Sequence, residues 1–262
     1  MSNIAKAFQN GKAFIGFLTG GDPCIEKTRD YVLEMFRAGA GLVEIGIPFS
    51  DPIAEGKVIQ EANIRALSAG TTVEKLFALV EDLRKDTAMP LVFLTYLNPV
   101  FRYGFDAFFK RCSSVGLDGI IIPDLPFEEQ AEVREAASKY DVDLVSLVAP
   151  TSRARIKKIA ESASGFIYLV SSMGVTGVRS EISTDLASIV KDLKSLTKLP
   201  LAVGFGIHTP EQAAQVAGMA DAVIVGSAIV NIIARHGGEA GPYIYEYVKE
   251  MKEAIRPIVF PH

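Results

Sequence analysis

The chain has 262 residues, 49% hydrophobic and 22% charged, with a mean hydropathy of +0.25; this composition excludes a disordered or fibrous protein. Net charge is −4, and no run of Lys and Arg is long enough to track a phosphate backbone, which argues against nucleic acid as a partner. Cys24 and Cys112 lack CxxC spacing, His208, His236 and His262 lack ligand spacing, and neither a signal core nor a membrane-length apolar run is present; the expectation is a cytoplasmic protein with no metal, disulfide framework or membrane contact.

In chain order, FIGFLT (14–19) leads into the helical pattern EKTRDYVLEMFRAG (26–39), and LVEIG (42–46) opens a long unit that ends in VEKLFALVEDLRKD (73–86). PLVFLTY (90–96) is followed by FDAFFKRCSSVG (105–116), GIIIPD (119–124) by FEEQAEVREAASKY (127–140), and DLVSLVA (143–149) by SRARIKKIAESA (152–163). FIYLVS (166–171) precedes DLASIVKDLKSL (185–196), LAVGFGI (201–207) precedes PEQAAQVAG (210–218), and DAVIVGS (221–227) is the last apolar run. Continuous apolar strands alternating with amphipathic helices predict a parallel sheet buried on both faces. Gly39, Gly116 and Gly218 fall where helices stop, and Pro210 falls near a first turn.

Eight such units without a linker predict an α/β protein forming one domain over 1–262, a single (β/α)8 TIM barrel; an open doubly wound sheet is the alternative. The second unit has room for an extra helix from Val58 to Ala69, and further extra helices are expected at the N-terminus and after strand eight. The loop SSMGVTGVRSEIST after strand six is a candidate lid. In a barrel the loops after strands two and six open on the same C-terminal face, where active sites are built.

Glu44 sits inside an apolar strand, on one face with Leu42 and Gly46 and opposite Val43 and Ile45. Burying a carboxylate there raises its pKa, which suits a general acid and base; a salt bridge to a nearby cation is the other reading. Asp51 before Pro52 reads as a turn or cap residue. Glu55 before Gly56 is either a solvated loop charge or a second carboxylate aimed over the barrel mouth. Three glycine turns, GVTG (174–177), GFGI (204–207) and GSA (226–228), converge elsewhere on that mouth. Glycine lets backbone N–H groups approach an anion and a helix start adds its dipole, so together they predict a phosphate site; singly each is also an ordinary tight connection. GFGIHT lacks the third glycine of a dinucleotide fingerprint.

The motifs VEIGIPFSDP, IQEANIRAL, GVTG, GFGI and GSAIV, in that order across nearly the whole chain from FLTGGDP (17–23) to GSAIV (226–230), resemble the tryptophan synthase α-subunit family. The resemblance implies a (β/α)8 barrel that cleaves indole-3-glycerol phosphate to indole and glyceraldehyde 3-phosphate. It also implies passage of the indole through a tunnel to a β subunit, within an αββα heterotetramer. No cofactor is implied for this chain; pyridoxal phosphate is expected in the β partner. Position by position, Glu44 matches the acid–base glutamate and Glu55 the carboxylate that stabilises charge at the indole N–H. Gly177, Gly206, Gly226 and Ser227 match the phosphate contacts. Phe17, Leu94 and Phe205 match the indole pocket, with Ile59 and Tyr168 beside it, although core packing alone would place such side chains there too. Thr176 corresponds to the lid threonine that orients the loop carboxylate on closure. Pro52, Asn98, Phe101 and Pro126, read as loop residues, are expected to meet the β subunit.

Two departures from the family pattern stand out. The family pattern ADGP is here Ala54-Glu55-Gly56-Lys57. The added methylene moves the carboxylate by roughly 1 Å, a misplacement that can cost on the order of 100-fold in rate, and loss of the proline loosens the loop. Weak activity without the partner is therefore expected, unless Lys57 pairs with Glu55 and holds it. Competing readings are an allosteric activator with little activity of its own and a stand-alone indole-releasing lyase. A Schiff-base aldolase would need a lysine inside a barrel strand, and none of the eight carries one.

Overall fold

A computed structural model of the chain describes residues 3–149, 155–170, 184–204 and 206–256. Eight strands form a closed barrel: β1 (Ala13–Thr19), β2 (Leu42–Gly46), β3 (Leu91–Leu94), β4 (Gly119–Ile121), β5 (Asp143–Val148), β6 (Ile167–Val170), β7 (Leu201–Gly204) and β8 (Ala222–Val225). Each pairs in parallel with the next, and β8 returns to β1 with Ala13 opposite Ala222.

Strand alternation sorts the apolar residues into two layers. Ile15, Leu42, Val92, Ile121, Val145 and Ile224 fill the barrel interior. Val43, Ile45, Phe93, Ile120, Val203 and Val223 face outward into the larger core beneath the helices. A short 3-10 helix, Asn3–Phe8, closes the N-terminal end of the barrel. Its Ile4 is fully buried and its Phe8 ring lies 6.1 Å from Phe166. The interior is thus plugged below, and the open space lies above.

The described helices are α1 (Ile25–Arg37), α2 (Lys57–Ser68), α3 (Val73–Leu83), α4 (Leu97–Tyr103), α5 (Phe105–Val115), α6 (Ala131–Lys139), α7 (Ile156–Ser162), α8 (Thr184–Leu196), α9 (Pro210–Ala217), α10 (Ser227–His236) and α11 (Gly241–Ala254). None is long and apolar enough to cross a membrane. α2 is the extra helix expected after strand two, and both α10 and α11 follow β8. Thr209 caps α9 through a capping box with Gln212, with Pro210 in its first turn. Gly116 stops α5 in the left-handed region, at φ 76°. Gly218 does not: it ends α9 at φ −61°, where any residue fits.

Three expectations need correction. The runs read as strands to 96, 124, 207 and 227 leave the sheet earlier, because β3, β4, β7 and β8 end at Leu94, Ile121, Gly204 and Val225. Beyond those ends Tyr96, Pro123, Ile207 and Gly226 line the barrel mouth. The helix expected over 127–140 is a 3-10 turn, Phe127–Glu129, followed by α6. Asn98 and Phe101, expected in a loop, lie on α4. That helix starts where Asp124, 27 residues on, accepts the Leu97 N–H at 2.8 Å, a cap that no local pattern announces.

Candidate active site

Glu44 lies on the inward face of β2, in register with Phe17 of β1 and Val92 of β3. It is 1% exposed, and among the described residues neither carboxyl oxygen has a hydrogen-bond partner. No salt bridge reaches it among the described residues, so the structural reading of this acid loses its support. Burial alone pushes its pKa up to about 8. Tyr168 of β6 is buried within electrostatic reach, and its phenol is held well above the ordinary value by burial and by the Glu44 charge.

Glu55 approaches the same space from the loop between β2 and α2. It is half-buried, and Asn63 Nδ2 donates to its Oε2 at 2.7 Å. Burial raises its pKa, while Asn63 and the nearby Tyr96 hydroxyl act in the opposite direction. Lys57 does not hold it: the Lys57 ammonium is solvent-exposed and lies 3.7 Å from Glu61, one helical turn along. Asp51 is exposed and accepts from the Ser50 hydroxyl at 2.5 Å, in keeping with a loop-shaping role.

Asn63 was absent from the sequence reading, yet the signal was there. Ile59, Ala62, Asn63 and Ala66 are the buried residues of α2, spaced i, i+3, i+4, i+7. A polar side chain on that stripe needs a partner, and Glu55 is its partner. α2 is itself anchored by Arg65, whose Nε and Nη2 donate to Asp22 Oδ1 and Oδ2 at 2.8 and 2.7 Å.

Glu44 and Glu55 line one cavity of about 1220 Å³ at the C-terminal ends of the strands. Phe17, Ile59, Leu94 and Tyr168 form apolar wall around them. Gly206, at φ 77°, and Gly226 and Ser227, at the start of α10, contribute another part of the wall. Asn231 and Arg235, one and two turns farther along α10, line it too and were not anticipated. Pro126 lies on the cavity wall, whereas Asn98 and Phe101 are exposed on α4 and Pro52 is half-buried in the β2–α2 loop. Phe205, Thr176, Gly177 and the lid segment 172–183 lie outside the described residues.

Gly226 leaves room for the Phe17 ring beside it in the cavity wall. A Cβ there would stand 3.1 Å from Phe17 Cδ1. Gly226→Ala is expected to raise KM for a phosphorylated substrate about tenfold with kcat within about threefold, measured by steady-state kinetics.

A closed (β/α)8 barrel with a buried acid in a cavity at the C-terminal mouth defines the class: a TIM-barrel enzyme with its site in the usual place for that fold. The chain belongs to the tryptophan synthase alpha chain family, whose model matches residues 4–256. It is 50% identical over 255 residues to the tryptophan synthase alpha chain of Lacticaseibacillus casei, covering 97% of this chain and 96% of that one. The relative from Lactiplantibacillus plantarum is 48% identical, with 97% of each chain covered. Among solved structures, the Legionella pneumophila alpha chain superposes with a TM-score of 0.88 at 35% identity, over 97% of both chains. A chain of the tryptophan synthase a2b2 complex of Pyrococcus furiosus does so with a TM-score of 0.87 at 37% identity, over 93% of this chain and 99% of that one.

Proposed function

We propose that Glu44 is the general acid and base, and Glu55 the charge-stabilising carboxylate, in cleavage of indole-3-glycerol phosphate to indole and glyceraldehyde 3-phosphate. The observation that carries this reading is the buried, unpartnered Glu44 carboxyl inside an apolar-walled cavity. With its pKa near 8, Glu44 is protonated at neutral pH. It gives its proton to indole C3 while the ring nitrogen supplies the electron pair, and positive charge develops at N1. An ionised Glu55 facing that N–H stabilises the charge where it forms. The Glu44 carboxylate then takes the proton of the hydroxyl next to the scissile bond. As the carbonyl forms, the carbon–carbon bond pair returns to the ring, which regains its aromaticity and neutrality. Indole and the aldehyde leave, and Glu44 ends as it began, protonated.

Gly206, Gly226 and Ser227, together with Gly177, hold the phosphate, supported by the helix dipole of α10 and the space that the glycines leave. Phe17, Leu94, Phe205, Ile59 and Tyr168 surround the ring, and Thr176 orients Glu55 when its loop closes and excludes water. The β subunit of tryptophan synthase is the partner, in an αββα assembly, and it carries the pyridoxal phosphate; this chain works without a cofactor of its own, in the cytoplasm. Phe101 is 67% exposed and Ile53 78%, which supports a docking surface of α4, the β2–α2 loop and Pro126. Glu55, one methylene longer than the family's aspartate, is drawn toward Asn63 in the free chain, and partner binding improves its placement.

Supplying indole-3-glycerol phosphate to the purified chain tests this reading. Equimolar indole and glyceraldehyde 3-phosphate are expected, slowly from the chain alone and faster with the β subunit. No product under either condition would overturn it.

A further inference from the structure

Tyr96 stands where three parts of this site meet. It is 2% exposed and forms the N-cap of α4, the helix that presents Asn98 and Phe101. The next residue, Leu97, donates to Asp124 Oδ1, so the start of α4 is tied to the segment leaving β4. The Tyr96 side chain enters the β2–α2 loop: its ring lies 5.4 Å from Phe49, and its hydroxyl accepts the Ala54 N–H at 3.1 Å. Glu55 is the next residue along that loop, and both Tyr96 and Glu55 line the cavity.

We propose that Tyr96 is a positioning residue that sets the Glu55 carboxyl for the indole nitrogen and carries movement of α4, where the partner docks, to that carboxyl. The proposal rests on the role given to Glu55 above. A phenol has one donor and two acceptor sites. With one lone pair taken by the Ala54 N–H, the proton is left for Glu55, and burial keeps the phenol protonated by pushing its pKa up to about 12. In this arrangement Glu55 is held from two elements, by Asn63 of α2 at 2.7 Å and by the Tyr96 hydroxyl at the start of α4, which favours the ionised carboxyl against burial. Holding a long side chain from two sides offsets the freedom of its extra methylene. It also makes the carboxyl sensitive to any shift of α4 relative to α2. With α2 pinned to Asp22 through Arg65, a partner's docking reaches the carboxyl through α4 together with the segment after β4 to which Asp124 ties it.

The test compares the wild-type chain, Tyr96→Phe, Glu55→Gln and the double variant, each with and without the β subunit, with thermal melts to confirm folding. Tyr96→Phe keeps the ring against Phe49 and removes only the hydroxyl. It should lower kcat of the isolated chain about tenfold with KM within about twofold, and lower the stimulation by the β subunit at least threefold. In the Glu55→Gln background it should add less than about twofold, as expected if it acts through Glu55. An unchanged kcat for Tyr96→Phe, or an equal loss in both backgrounds, would overturn the proposal while leaving Glu55 in its role. An unchanged rate for Glu55→Gln would overturn that role, and the proposal with it. Should Tyr96→Phe fail to fold, Asp124→Ala removes the acceptor of the Leu97 N–H and loosens the start of α4 while keeping the Tyr96 hydroxyl: reduced stimulation supports the link, and unchanged stimulation overturns it.

Discussion

Replacing Glu44 by glutamine is expected to lower kcat for indole-3-glycerol phosphate cleavage by about 1000-fold, in the middle of the range for losing a general acid and base. Glutamine matches the shape of the protonated carboxyl that the native chain holds at neutral pH, because burial has raised that pKa to about 8. It cannot give or take the proton, so the loss falls on the transition state and KM moves little. The barrel is not disturbed: the substitution removes no volume between Phe17 and Val92 and strands no partner, since Glu44 has none among the described residues. Steady-state indole formation, with a thermal melt as control, reads both halves of this expectation. A loss of less than tenfold would show that the proton moves by another route.

The largest expected effect on stability comes from Arg65→Met. Asp22 is 1% exposed and its two carboxyl oxygens are held by one guanidinium in a paired geometry. Removing the arginine leaves a buried carboxylate without its cation, a change that costs about 3–5 kcal/mol. For a chain of this size that lowers the melting temperature by roughly 10 °C. Activity falls as well, because α2 carries both Ile59 and Asn63 into the site. Adding Asp22→Asn to Arg65→Met should recover part of the loss, since the uncompensated charge is then gone. A melting temperature within 2 °C of the native value for Arg65→Met would show that the pair contributes nothing.

Much of the fold was legible because each strand is a short continuous apolar run and each helix an amphipathic stripe, and those local patterns survive in the barrel. Glu44 was legible for the same reason: one acid in the inward register of an apolar strand has few uses. Two features that the sequence did not announce share one physical origin. α4 depends on Asp124 accepting the Leu97 N–H, and Tyr96 reaches back 42 residues to Ala54. Such contacts form between loops that the barrel closure brings together, and spacing along the chain does not encode them. Lys57 is the converse case: proximity in sequence suggested Glu55, whereas helix geometry gives it Glu61 at i+4. Asn63 lies between these extremes. Its place on the buried stripe of α2 was readable, but its partner was not.

Glu44 is proposed to enter the reaction with its proton in place, and the pH dependence of kcat/KM for indole-3-glycerol phosphate cleavage tests this most directly. The raised pKa means that the protonated, active form persists through neutrality and is lost as pH rises through about 8. Over that range the substrate phosphate is already fully ionised, its second pKa being about 6. The predicted result is a plateau near neutral pH followed by a fall approaching tenfold per pH unit above about 8, with this limb missing from the residual activity of Glu44→Gln. A kcat/KM that stays level or rises from pH 7 to about 9.5 would contradict the assignment, because Glu44 would then be working only as a base.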